Sequence, residues 1–400
     1  LDPVQQRDLY RQHPCNTIRL IRNREEPGDQ SVEDRVTRAE DFWRIWRREG
    51  ILIREHAAAF YVIQSLFRTG ECQQSRWSLI ARMSLPGSVP EAVVNPVAVS
   101  EKRSLRARCE AEFSPVTVIL ATEQEPEEPL EDILERTVRL KTPLEHIDES
   151  GQHHRIWQVI DKATQVRLEH SASVYTGFLA DGLTEFVAAL QHRDSVLEQG
   201  QGADPNNPVH AVLAWLIPST AEIEAFRPVL YPIVQTRGVS AASLTCSPSD
   251  GLVLQYVGNE ASACDDSTEL AALNEQQPCL AFGTADGHWG LAAAANPETT
   301  CSELRGMLQR LITRIASDAA SGPAIKTGYS AEILSMLVAR EFRKSEDQVL
   351  IIQPARCVAD QLLNHVMEIN QPTAWTSIAD ISVAAPLPVG IVFSSLESAS

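Results

Sequence analysis

Leu179-Ala180-Asp181-Gly182-Leu183-Thr184-Glu185-Phe186-Val187-Ala188-Ala189-Leu190-Gln191-His192-Arg193-Asp194 reads as a strand end, a tight turn and the start of a helix. A chain that passes from a strand through glycine into a helix N-terminus is a natural anion site. Free N–H groups converge there with the positive end of the helix dipole. The first helical turn, however, carries Glu185, and no basic residue follows until His192 and Arg193. The shape fits phosphate and the charge opposes it. Asp181 and Thr184 complete the turn, one as a candidate cap and the other as a candidate hydroxyl donor to an anion.

Working outward, strands and helices alternate. Phe60–Phe67 and Trp77–Ser84 read as a hairpin around Thr69-Gly70-Glu71. Ser31 to Arg48 reads as a helix, with Ser31 and Asp34 as a capping pair and an apolar stripe through Val36, Ala39, Trp43 and Trp46. Asn16–Ile21 reads as a short strand, 100–109 as a basic helix, 114–121 as a β-branched strand and 153–160 as another strand. Gly200 to Pro208 has the composition of a linker. Strands are expected beyond it at 209–217, 229–234, 252–257, 280–282, 289–293, 348–352 and 389–393, and helices at 301–316, 330–342 and 355–369. The class is α/β, in the mixed α+β sense. Two units are expected, 1–200 and 208–400.

The 400 residues carry a net charge of −18. It is uneven: residues 1–110 hold 18 Lys and Arg against 15 Asp and Glu, and the remainder is strongly acidic. Such a body repels nucleic acid. No apolar run is long enough for a membrane span. The eight cysteines are scattered without a C-x-x-C pair, which fits independent thiols in a reducing cytoplasm and gives no metal site. The chain opens on Leu1, so its native start is expected to precede it. No cofactor motif occurs.

Several blocks together resemble a known family. His13-Pro14-Cys15-Asn16-Thr17-Ile18-Arg19-Leu20 is followed by Glu25-Glu26-Pro27-Gly28-Asp29, Thr37-Arg38-Ala39, Phe113-Ser114-Pro115, His154-Arg155-Ile156-Trp157 and Ala180-Asp181-Gly182. Pro386 to Phe393 is similar to the family's closing motif. The order resembles the bacterial and archaeal family known as domain of unknown function 1015. The resemblance implies an N-terminal half distantly similar to the ParB and sulfiredoxin fold, a group that includes CTP-binding switches and serine kinases. The family pattern after Asp-Gly is His-His-Arg; here Leu183, Thr184 and Glu185 stand in those places. A His-Glu block is replaced around Val94-Asn95-Pro96, and a Thr-His pair around Leu230-Tyr231-Pro232.

Loss of polar groups at three places implies a degenerate member. The expectation is a cytoplasmic, non-catalytic binding or interaction protein for a small molecule or protein, without catalytic residues or cofactor. The alternative is a small-molecule phosphotransferase or nucleotide hydrolase with a rebuilt site. That alternative needs a cation brought to the turn, and Arg155 and Arg193 are the candidate donors.

Overall fold

The computed structural model describes residues 3–218 with short gaps. Beyond them it describes chiefly 226–234, 242–258, 279–284, 288–296, 301–315 and 348–353, with short pieces up to 396. The helices expected at 330–342 and 355–369 lie outside the described residues.

The chain begins with three helices, α1 (Pro3–Gln12), α2 (Ile18–Ile21) and α3 (Val32–Arg48). A long hairpin follows, β1 (Phe60–Thr69) and β2 (Cys72–Ser84). Next come α4 (Pro96–Cys109), β3 (Ala111–Glu112), β4 (Val116–Ala121) and α5 (Leu130–Val138). Then follow β5 (Leu144–Ile147), β6 (His153–Val159), α6 (Lys162–Ala172), β7 (Thr176–Asp181), α7 (Leu183–Glu198) and β8 (Ala211–Pro218).

The α/β class is borne out. An eight-stranded mixed sheet runs in the order Thr376–Ser377, β7, β4, β8, β2, β1, β6, β5. A second sheet of seven strands contains 229–234, 252–258, 279–283, 289–294 and 348–353. The alternation of strand residues assigns the two faces of the first sheet to different partners. Val62, Leu79, Val118, Trp157 and Leu179 pack beneath α5, α6 and α7 through Leu130, Leu134, Leu168, Phe186 and Leu190. On the opposite face, Ile63, Ile80, Ile119, Ile156 and Trp215 share a core with Leu244, Leu280, Phe282 and Leu308 of the C-terminal half.

Two expectations change. Asn16–Ile21 is not a strand; Ile18–Ile21 forms one helical turn, with the Ile18 N–H on Asn16 Oδ1 at 3.0 Å. The linker 200–208 does not separate two sheets, because β8 follows it and inserts between β4 and β2. A unit that stopped at residue 200 would lack a central strand. The chain's end also returns to the N-terminal half. Ser394–Ser395 pairs with β3, and Phe393 sets its ring edge-on to Trp43 and Phe113.

Candidate functional site

β7 delivers the turn as the sequence implies. Asp181 ends the strand, exposed, opposite Thr117 at a register irregularity between β7 and β4. Gly182 has φ +85°, and a Cβ there would stand 3.0 Å from the Val116 Cα. Both the left-handed backbone and the close approach of β4 require glycine. Gly182 is the N-cap of α7, and no side chain caps this end. The first helical bond runs from the Phe186 N–H to the Gly182 carbonyl at 2.9 Å. Thr184 and Glu185 are half-buried in the first turn.

The partner of this turn is α4, which contains the basic helix expected at 100–109. Asn95 starts it, its side chain accepting from the Val97 and Ala98 N–H groups, with Pro96 at the first position. One face of α4 carries Lys102 and Arg106, four residues apart. One face of α7 carries Glu185, Ala188 and His192, at helical spacing. The two faces meet over Val99, Val187 and Ala188. Lys102 Nζ lies 3.0 Å from a Glu185 carboxylate oxygen and also donates to the Ile21 carbonyl at 3.3 Å. Thus Glu185, the acid in the first turn of α7, is matched by a lysine from another element.

Behind this pair lies a buried network. Arg106 is 5% exposed and forms an ion pair with Glu112. Its second terminal nitrogen donates to the Ala211 carbonyl at 2.9 Å, and its Nε donates to His192 Nδ1 at 3.2 Å. The other Glu112 oxygen accepts the Leu213 N–H at 2.9 Å. Burial, with Arg106 and Arg103 nearby, pushes the His192 pKa down to about 4. The ring is therefore neutral near pH 7, as its acceptor role at Nδ1 demands. Lys102, Arg106, Glu112, Phe113, Ser114 and Glu185 line a small open pocket. Its two cations each face a carboxylate, so it offers an incoming phosphate no uncompensated positive side chain.

The two arginines proposed as donors are engaged elsewhere. Arg193 is 7% exposed, donates to the Pro86 carbonyl and pairs with Asp194 at 2.8 Å. Arg155 sits on β6, with four strands between it and β7, and pairs with Glu145 at 3.1 Å. The structure brings Glu185, in the turn's first helical residues, together with Lys102 and Arg106. It brings neither Arg155 nor Arg193 to the turn. Among the described residues, no group of three His, Cys, Asp or Glu side chains is placed to hold a metal ion, and no helix is long and apolar enough to cross a membrane.

A strand, a left-handed glycine and a helix whose first turn is ion-paired to a neighbouring helix define an α/β protein. The chain belongs to the family described as "Protein of unknown function (DUF1015)", whose model matches residues 1–230. That match runs through α7 and includes β8. No curated protein and no solved structure matches the chain.

Proposed function

We propose that this chain is a degenerate member of its family: a cytoplasmic binding or interaction protein, without catalysis, that keeps the scaffold of a phosphate site. The N-terminal unit, taken to include β8, is proposed to derive from a ParB/sulfiredoxin-type ancestor. One observation carries this reading: Glu185, which stands where the family resemblance places an arginine, is ion-paired to Lys102. The ligand-facing residues we propose are Asp181, Gly182 and Thr184 at the turn, with Glu185, Lys102 and Ser114 in the pocket beside it. Such a mouth offers two acids, one base and hydroxyls to a small polar molecule or a protein loop. Titration with ATP, ADP and CTP tests the reading, and heat signals with micromolar affinity would overturn it.

The rebuilt-enzyme reading has one observation in its favour: Lys102 and Arg106 do bring cations to the α7 terminus from α4. For it to hold, nucleotide must displace Glu185 from Lys102. Glu185→Gln would then strengthen nucleotide binding and preserve turnover, whereas the degenerate reading expects no turnover in either form.

A further inference from the structure

A second polar cluster lies on the other face of the first sheet, apart from the α7 turn. Ser65 of β1, Arg76 of β2 and His154 of β6 stand side by side in register, and His146 of β5 is paired to His154. Ser65 and His154 are fully buried, and Arg76 is 7% exposed. The Ser65 Oγ is 3.0 Å from His154 Nδ1, and His154 Nε2 is 3.4 Å from Asp148, in the turn between β5 and β6. Asp148 is itself fixed by the Gln152 N–H on its other oxygen at 2.9 Å. A carboxylate at Nε2 can only accept, so the neutral ring carries its proton there and Nδ1 accepts from the Ser65 hydroxyl. The guanidinium of Arg76 lies between the Phe67 and Trp215 rings, 5.4 and 5.2 Å from their centroids. Hydroxyl, imidazole and carboxylate in this order resemble a nucleophile relay, but a fully buried Ser65 meets no substrate.

The row lies beside the seam between the halves. Ile63 and Ile156, two residues from Ser65 and His154 on the same face, share a core with Leu244, Leu280 and Phe282. We propose that the Ser65–His154–Asp148 row is a proton-operated latch: it holds the sheet against the C-terminal half while His154 is neutral and releases that seam when His154 gains a proton. A second proton on the ring turns Nδ1 into a donor facing a hydroxyl that was donating to it. The new charge is then buried near Arg76 and His146, with Asp148 the one acid among the described residues that favours it. Burial, the largest influence, holds His154 below the usual histidine range. The described C-terminal residues of this core, such as Leu244, Leu280 and Phe282, are apolar and give the charge no help.

The sign follows from linkage. The neutral ring's contribution is complete above about pH 6.5 and is lost as pH falls below it. Amide exchange of the full chain, followed by mass spectrometry from pH 8 to pH 5 and corrected for intrinsic rates, reads this locally. Peptides covering β1 and β6 are expected to open more as pH falls, by at most about tenfold per pH unit for one proton. His154→Gln, whose amide can donate to Asp148 and accept from Ser65, should hold that response within about twofold across the range. Asp148→Asn should enlarge the response, because it removes the group that favours the charged ring. His192→Gln should leave it in place. The proposal is overturned if β1 and β6 protection in the unaltered chain does not vary with pH, or if His154→Gln responds like the unaltered chain. If His154→Gln does not fold, Asp148→Asn decides: an equal or smaller response than the unaltered chain overturns the latch.

Discussion

Replacing Gly182 by alanine tests how tightly the turn is specified. Two costs act together. A left-handed φ of +85° costs an L-residue roughly 1–2 kcal/mol. The added methyl also meets the Val116 Cα at 3.0 Å and its Cγ1 at 3.1 Å, and the former is backbone that cannot swing aside. Overpacking of that kind adds about 1 kcal/mol or more. Gly182→Ala should therefore lose about 2–3 kcal/mol, read from a chemical-denaturation midpoint or as a melting temperature lower by about 2–4 °C. Gly50→Ala is the control. Gly50 has φ +71° but open space around its Cβ direction, so it should lose only the conformational part, about 1 kcal/mol. The difference between the two variants measures the approach of β4 to the turn. Equal losses, or a loss under about 0.5 kcal/mol for Gly182→Ala, would refute the reasoning and with it the tight strand–turn–helix geometry.

Other consequences are as concrete. Arg106→Ala leaves Glu112 buried without its partner and should cost about 3–5 kcal/mol, while Arg106→Met with Glu112→Gln should recover part of the loss; equilibrium unfolding reads both. His192, with its pKa near 4 against an ordinary 6.5, contributes stability that is complete above pH 6.5 and declines as pH falls toward 4. The decline should amount to about 2 kcal/mol once the ring's residual exposure is allowed for, and His192→Gln should flatten that part of a stability–pH curve. Arg193→Ala, which removes a donor to the Pro86 carbonyl, should lower stability without changing anion affinity, since Arg193 does not reach the turn. A phosphate titration of Arg193→Ala made in the Glu185→Arg background checks the second half of the statement.

Much of the N-terminal half is legible because its signals are local. Ser31 and Asp34 form the expected capping box, and Val36, Ala39, Trp43 and Trp46 are the buried stripe. Gly182 adopts the positive φ that an Asp-Gly turn before a helix implies. Asn16–Ile21 misleads because Ile18 and Leu20, two apart, suggest alternation, yet both are buried from one helical turn by tertiary packing. β5 is silent because it is an edge strand whose four residues are all exposed and carry no burial pattern. The site is half legible. Glu185 stands out by its charge, but its partner is 83 residues earlier on a helix with no pattern pointing to α7. Lys102 and Arg106 share a helical face, and that spacing was the available signal; only the packing of α4 on α7 says what the face meets.

The central claim is that Glu185 and Lys102 cancel each other at the α7 N-terminus. Calorimetric titration of ATP and inorganic phosphate into the unaltered chain and Glu185→Arg tests it most directly. One unit charge at about 5 Å and an effective dielectric near 20 is worth about 3 kcal/mol. Reversing Glu185 beside Lys102 changes the charge by two units, so it should raise anion affinity by at least roughly a hundredfold, from undetectable to measurable. The account predicts no micromolar binding by the unaltered chain and clear binding by the variant. Micromolar binding by the unaltered chain, or a folded variant with no gain, would contradict it.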